Sequence, residues 1–339
     1  MAMRFGIIGC GDIAENSFAP SLVKSDLTEL VAVCRRDLRK AKAFADTFGC
    51  PAAYASDEEV LDDPNVHAVV IATPPNVHCD QTLRAAAAGK HVLVEKPMGM
   101  NAAECRRMIE GCRKAGVKLA VAYRRRVFPQ VLKAKALIAD GAIGRTVSVR
   151  THYSGRYGAS LPSWRLDPVI GGGGAMMDMA VHRIEVLLNF AAQPTEVSAM
   201  VETVDHDWQV DDSCGLLIRF EDGTFGVHST VLTSPPRHDT AQIDGTEGRI
   251  LMDPLEFGTD HIVLEKPGKT ERVPVASLEA PYFDQPMIED FVRAVDEDQE
   301  PACDGMAGFV TQAVVDAAYR SAIERREVSV GQLQDQKRD

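Results

Sequence analysis

The stretch that most restricts the fold lies at the start of the chain. An apolar run at residues 4–8 passes straight into Gly9-Cys10-Gly11-Asp12-Ile13-Ala14. A strand running through G-x-G-x-x-A into a helix is the dinucleotide-binding fingerprint. The first glycine makes the tight turn and the second lets a pyrophosphate approach the backbone. The small third residue lets helix and strand pack closely, and the helix N-terminus, entered at Asp12 and Ile13, faces the phosphates. A helix over 13–24 and a strand at 30–34 complete a βαβ unit of the expected length. Gly9, Gly11, Asp12 and Ile13 are therefore candidate cofactor contacts.

The end of the second strand bears on the choice of dinucleotide. An enzyme preferring NAD places an acid there to bind the ribose 2′-hydroxyl. This chain has Arg35-Arg36, with Asp37 behind them and Arg39 and Lys40 close by. Two guanidinium groups suit the 2′-phosphate of NADP and stacking on adenine. The sequence favours NADP, with NAD the alternative if Asp37 reaches the ribose.

Alternation continues with helices at 39–48, 57–61, 79–88 and 101–115 and strands at 52–54, 66–72, 90–94 and 118–122. This rhythm indicates a doubly wound parallel sheet, which binds ligands at the carboxyl ends of its strands. Thr73-Pro74-Pro75-Asn76-Val77-His78 and Glu95-Lys96-Pro97 fall at such ends, so Thr73, Pro74, Asn76, His78, Glu95 and Lys96 join the cofactor candidates. Past Tyr123 the pattern changes. A helix at 129–140 and a strand at 146–152 precede strands at 197–203, 213–220, 224–232, 241–245, 248–252 and 261–265, separated by turns such as Glu221-Asp222-Gly223. Helices at 285–297 and 307–327 close the fold, and the polar tail 332–339 is expected to fray. The expected class is α/β. A Rossmann doubly wound parallel sheet occupies 1–122. An α+β domain for substrate binding and oligomerisation, with a large, mostly antiparallel open sheet, occupies 123–339.

A formal net charge of -12 argues against nucleic acid and anionic membrane surfaces as partners. No apolar run approaches the ~20 residues of a spanning helix, and the N-terminal strand leaves no room for a signal peptide. Eight scattered cysteines without a C-x-x-C pair fit buried thiols in a reducing compartment. A cytoplasmic location is expected.

Gly171-Gly172-Gly173-Gly174 opens a helix over 175–190, with Met176, Met179, Ala180, Ile184, Leu187 and Leu188 forming its apolar face. Asp178 and His182 stand four apart on one side of it. A carboxylate beside an imidazole is a candidate proton-handling pair. The plain alternative is an aspartate stabilised by the helix dipole and a histidine that merely packs. Four glycines suit a backbone that must come close to something, such as a ligand.

Taken together, the glycine fingerprint, T-P-P-N-V-H at 73–78, E-K-P at 95–97, W-R-L-D-P at 164–168, G-G-G-G-A-M-M-D-M-A-V-H at 171–182 and G-T-E-G at 245–248 resemble the Gfo/Idh/MocA oxidoreductase family. The resemblance implies a Rossmann domain, a C-terminal α/β domain whose open sheet builds a homodimer or homotetramer, and hydride transfer between NAD(P) and a carbinol, often of a sugar or polyol. By position, Lys96 would contact the reacting oxygen and Glu95 would approach the nicotinamide side, with Lys96–Pro97 often cis in relatives. Asp178 and His182 would form the substrate-side pair, His182 exchanging the proton. No metal is implied. Arg125, Trp164 and Arg165 are candidate substrate contacts, although family members often carry Asn where Arg124 or Arg125 stands. Arg125, Arg156, Arg165 and Arg183 read equally as contacts to an anionic substrate or as ion-pair partners. Two other functions share the fold: a glycosidase that uses tightly bound NAD by transient oxidation, and a non-catalytic dinucleotide sensor. Lys96, Asp178 and His182, all present, speak against the sensor.

Overall fold

Strand pairing follows the apolar runs. The structure, a computed structural model, describes residues 2–158, 161–256 and 258–331; the tail expected to fray lies outside the described residues. By contact the chain divides into two compact units, Met1–Arg124 with Leu278–Phe309, and Arg125–Ser277 with the chain from Val310.

In the first unit β1 (Met3–Ile8), β2 (Thr28–Cys34), β3 (Ala52–Tyr54), β4 (Ala68–Ile71), β5 (His91–Val94) and β6 (Leu119–Val121) form one sheet. Its order is β3-β2-β1-β4-β5-β6, every neighbouring pair parallel. That is the doubly wound Rossmann order. Every residue of β4, Ala-Val-Val-Ile, is fully buried. A strand covered on both faces has no reason to alternate. Side chains start the helices: Asp37 caps Leu38–Phe48, Ser56 and Glu59 form a capping box on Asp57–Asp62, and Asn101 caps Ala102–Ala115. The helix Gln285–Asp296 also belongs to this unit, whereas the sequence alone assigns it to the second domain. Its face of Met287, Ile288, Phe291 and Val292 is buried, and Phe291 lies 6.2 Å from Phe5 of β1 between ring centroids. Helical periodicity shows that such a face exists but not which sheet it covers.

The second unit holds β7 (Thr146–Arg156), β8 (Pro194–Glu202), β9 (Ser213–Phe220), β10 (Phe225–Val231), β11 (Thr233–Gly245), β12 (Arg249–Met252), β13 (His261–Lys266), β14 (Lys269–Pro274) and β15 (Val328–Ser329). The order is β14-β13-β12-β11-β7-β10-β9-β8-β15, antiparallel except between β7 and β10. β11 begins well before the expected residue 241. Its first half, Thr-Ser-Pro-Pro-Arg-His, is polar and carries two prolines, so it shows no strand pattern. Its pairing with β7 is irregular between Thr233 and His238. β14, which is polar, and β15, two residues long, are edge strands that periodicity does not announce.

Register sorts the two faces of this sheet. Ser198 of β8 opposes Leu217 of β9, which opposes Val227 of β10, so Met200, Leu217 and Phe225 project from the same face. They are 72%, 56% and 44% exposed, while Cys214, Leu216 and Ile218 of the opposite face are buried. The glycine-opened helix starts with a π-helical turn, Met176–Ala180, and continues as α-helix over Val181–Leu188. The helix after the fingerprint does the same, π over Ala14–Phe18 and α over Ala19–Lys24.

Candidate active site

The sheet of the first unit aligns its strand ends. Ile8 pairs with both Cys34 and Ile71, Ile71 with Val94, and Val94 with Val121. The residues that follow, Gly9, Arg35, Ala72-Thr73 and Glu95-Lys96, therefore leave the sheet along one edge. Gly9 has φ +99°, and a Cβ there would lie 2.9 Å from the Ala72 carbonyl, so no other residue fits. A Cβ at Gly11 would meet no described atom within 4 Å. That backbone is open to a ligand, as pyrophosphate binding requires. Ala14 is fully buried and packs the helix close. Asp12 lends its carbonyl to Asn16 Nδ2 at 2.8 Å, and Ile13 is half-buried at the helix start.

Arg35 Nη1 donates to the Cys10 carbonyl at 2.7 Å, which holds its guanidinium against the glycine turn. Arg36 is exposed beside it. The Asp37 carboxylate accepts from Arg39 N–H at 3.1 Å as the cap of its helix and pairs with Arg39 Nε at 3.5 Å.

Along the same edge, Thr73 Oγ1 donates to Gln81 Oε1 at 2.6 Å, and Gln81 Nε2 donates to Asp57 at 2.9 Å. Arg84 grips both oxygens of Asp57 at 3.0 and 2.6 Å and holds that carboxyl down at about 2. Pro74 is half-buried and Asn76 exposed. The His78 side chain lies in the interior of this unit. It is fully buried, its Nδ1 is 2.9 Å from the Pro97 carbonyl, and its Nε2 is 2.8 Å from the Thr73 carbonyl. It ties the loop after β4 to the loop after β5, and the sequence expectation of a cofactor contact is corrected accordingly. The Lys96–Pro97 bond is cis, and Lys96 is half-buried. Burial pushes the Glu95 carboxyl up to about 7, with Asp284 adding to the rise and Lys96 and Arg124 opposing it. Arg124 Nη1 donates to Asp284 at 3.2 Å and to Ser17 Oγ at 3.0 Å, so the cation that departs from the family pattern sits in a polar network of this unit.

In the second unit the glycine run has an internal cause. A Cβ at Gly173 would collide with the Tyr319 hydroxyl, and one at Gly174 with the Asp211 carbonyl oxygen. The close approach expected of a ligand is made by Asp211 and Tyr319. Asp211 Oδ1 accepts from Gly174 N–H at 2.9 Å and Tyr319 Oη at 2.8 Å; Oδ2 accepts from Met176 N–H at 2.7 Å. Its carbonyl accepts from Ala175 N–H at 2.7 Å. This aspartate starts the helix, and nothing in the local sequence near 175 signals a cap lying 35 residues downstream of Met176. Asp178 stands on the π turn, and Arg165 Nη1 donates to both its oxygens at 2.8 and 2.7 Å. The Arg165 guanidinium also lies 5.1 Å from the Trp164 ring centre. His182 is half-buried on the α-helical part. Among the described residues, no group of three or more His, Cys, Asp or Glu is placed to hold a metal ion.

The arginines that left substrate charge open all have carboxylates. Arg125 is buried and paired with Glu256, Arg156 with Asp205 at 3.0 Å, and Arg165 with Asp178. Arg183 is fully buried, holds Asp239 at 3.0 and 2.5 Å, and stacks 4.1 Å over the Tyr153 ring. Arg125 is thus a core ion-pair partner in this structure. The sequence shows the charge but not the glutamate 131 residues away.

An open glycine turn at a Rossmann strand edge, with a separate unit presenting an aspartate and a histidine on one helix, describes a dinucleotide-dependent oxidoreductase. Comparison with known proteins makes this specific. Residues 3–123 match the oxidoreductase family with an NAD-binding Rossmann fold, and residues 131–251 match the GFO/IDH/MocA C-terminal domain. The chain belongs to the Gfo/Idh/MocA family and is an NAD(P)-dependent dehydrogenase acting on CH–OH groups. It is 35% identical over 266 residues to trans-1,2-dihydrobenzene-1,2-diol dehydrogenase of Mus musculus, 78% of either chain. It is 31% identical over 322 residues to a D-xylose 1-dehydrogenase (NADP(+)) of Haloferax volcanii, 94% of this chain and 97% of the other. Levoglucosan dehydrogenase solved with NADH and levoglucosan superposes with a TM-score of 0.88 at 26% identity, over 98% of this chain and 100% of that one.

Proposed function

We propose that this chain transfers a hydride between NADP(H) and a neutral, hydroxyl-rich substrate, a sugar or a vicinal diol. The observation that carries the cofactor half is the disposition of Arg35 and Asp37. Arg35 is held at the glycine turn, where a 2′-phosphate finds a cation, while the Asp37 carboxylate is occupied as a helix cap. The pairing of Arg125, Arg156, Arg165 and Arg183 with carboxylates supports a substrate without charge. The relatives named for a dihydrodiol, D-xylose and levoglucosan point to the same class.

A dinucleotide held at Gly9, Gly11 and Arg35 would supply or accept the hydride at the carbinol carbon. The Lys96 ammonium stabilises the negative charge that grows on the oxygen as the carbon–hydrogen bond is made or broken. His182 takes or returns the hydroxyl proton through its imidazole. Arg165 fixes the direction of Asp178, the carboxylate four residues before His182 on the same helix. Trp164 stands beside that pair. The first unit holds the cofactor and the second the substrate. The exposed row Met200, Leu217 and Phe225 supports assembly of a homo-oligomer through that face of the nine-stranded sheet. Among the described residues no helix is long and apolar enough to cross a membrane.

The test is a titration of the purified protein with NADPH and with NADH, followed by reduced-nicotinamide fluorescence, in the wild type and Arg35→Ala. NADPH should bind more tightly, and the substitution should weaken NADPH about tenfold or more while leaving NADH nearly unchanged. Tighter NADH binding in the wild type would overturn the cofactor assignment. With D-xylose and NADP+, Lys96→Ala should lower kcat about a hundredfold or more; unchanged turnover would remove Lys96 from the chemistry.

A further inference from the structure

The loop between β8 and β9 carries an aromatic pair that the reaction has not used. The Trp208 indole lies flat on the His206 imidazole, ring centres 3.8 Å apart and planes inclined by 14°. A loose surface loop would not hold two rings in that geometry, and this loop is anchored at both ends. Asp212 is fully buried and accepts from the backbone N–H groups of Val204, Asp205 and His206 at 2.9, 3.0 and 3.0 Å. Burial opposes the charge on Asp212, but the N–H groups of His206, Asp205 and Val204 outweigh it and hold the carboxyl at about 2. The same carboxylate lies 3.2 Å from His206 Nδ1, and His206 Nε2 lies 2.7 Å from the Tyr157 carbonyl. Thr203 Oγ1 closes the base of the loop on the Val210 carbonyl at 3.0 Å.

The anchored ring adjoins the turn that bears Asp178. Trp208 packs, with Tyr157 and Met179, on the buried cluster of Tyr153, Ala175 and Leu232. Tyr157 Oη contacts Met179 Sδ at 3.7 Å and shares a hydrogen bond with Tyr153 Oη at 2.7 Å. Met179 directly follows Asp178 on the π turn. Trp208 nonetheless stays half-buried, and its indole N–H has no hydrogen bond among the described residues. An indole with a donor at its edge, packed on the same cluster as the Met179 that follows Asp178, matches one kind of small molecule. That molecule is a ring with a contiguous C–H face and hydroxyls around its rim.

We propose that Trp208, held flat by His206 and Asp212, is the platform on which a cyclic substrate stacks, so that the enzyme selects ring-form sugars and cyclic diols over open-chain polyols. This rests on the reading of the chain as a dehydrogenase of neutral hydroxy compounds. An open-chain polyol offers the indole no continuous apolar face and must freeze several torsions to mimic one.

Steady-state kinetics with NADP+ test it. D-xylose and trans-cyclohexane-1,2-diol serve as ring probes, xylitol and propane-1,2-diol as open-chain probes, with the wild type, Trp208→Ala and Trp208→Phe. In Trp208→Ala the KM for the ring probes should rise about tenfold, equivalent to about 1.4 kcal/mol. Their kcat should change little, KM for the open-chain probes should stay put, and Trp208→Phe should restore most of the ring preference. Equal changes for ring and open-chain probes, or no change for either, overturn the platform. If the wild type oxidises none of the four, the reaction assignment fails instead. The platform is then judged by Trp208 emission in a Trp164→Phe background. A change caused by ring probes and not by open-chain probes upholds it, and no change up to the solubility limit overturns it.

Discussion

Adding one methyl group at Gly174 should damage the second unit more than most single substitutions could. A Cβ there would collide with the Asp211 carbonyl oxygen and stand 2.8 Å from the carbonyl carbon and 2.9 Å from Val210 Cγ2. The first two of those atoms are backbone, so no rotamer change relieves the overlap, and the start of the helix must move off Asp211. That movement strains or breaks the bonds from Gly174, Ala175 and Met176 N–H and the bond from Tyr319 to the same residue. A lost cap costs about 1 kcal/mol, overpacking about 1–3 kcal/mol, and each buried polar group left open about 1–3 kcal/mol. Because these overlap, Gly174→Ala should cost about 3–5 kcal/mol, which lowers the melting temperature of a domain this size by about 6–20 °C. Tyr319→Phe removes one bond and should cost about 1–2 kcal/mol. Thermal unfolding followed by circular dichroism reads both, and NADPH affinity should be retained by protein still folded, because Gly9 and Gly11 belong to the other unit. A Gly174→Ala protein melting with the wild type would refute the packing argument. The glycine run would then need another cause, the ligand approach expected from sequence being the first candidate.

Two further outcomes follow from the structure. Burial raises the Glu95 carboxyl from an ordinary 4.5 to about 7. It therefore binds its proton more tightly folded than unfolded, adding stability that is complete below the unfolded value and lost as pH rises through about 7, a swing of about 3 kcal/mol. Glu95→Gln should flatten the dependence of the urea midpoint between pH 5 and pH 8, and an identical slope in both proteins would contradict it. Leu217→Asp places a charge in the exposed row with Met200 and Phe225. It should shift the protein to a smaller species in sedimentation velocity with its far-UV spectrum unchanged; an unaltered sedimentation coefficient would move the interface elsewhere.

Much of this was legible in the sequence because the signals are local. The parallel strands announce themselves as apolar runs, and the fingerprint glycines specify a turn whose geometry depends on the next few residues. Arg35 stands out by its place at the end of the second strand, and in the structure it bonds back to that turn at the Cys10 carbonyl. What stayed hidden depends on contacts between distant parts of the chain. His78 sits in a motif that reads as a cofactor contact, but its two ring nitrogens lie against the carbonyls of Thr73 and Pro97, which makes it a tie between loops. Arg125 looks like a pocket cation until Glu256 is placed beside it. The early half of β11, with Pro235 and Pro236, meets β7 only at Thr233 and again from His238 onward, so its place in the sheet depends on a distant strand. Propensity cannot anticipate a partner strand.

The adjacent aspartates 211 and 212 show how position alone divides the work of two identical side chains. Asp211 points to the helix start and satisfies the N–H groups beneath Asp178, while Asp212 gathers three N–H groups of the loop that carries His206 and Trp208. Successive side chains at the entry to a strand point to opposite sides, so one dipeptide can hold the helix on one side and the loop on the other. The peptide bond between them then fixes the spacing of the two elements far more tightly than separate anchors could. Asp178 and His182 on the helix and Trp208 on the loop are thereby set against a common backbone reference. Side-chain changes at 207 and 208 leave both sets of anchoring bonds in place, because Asp211 and Asp212 make them with backbone N–H groups of other residues.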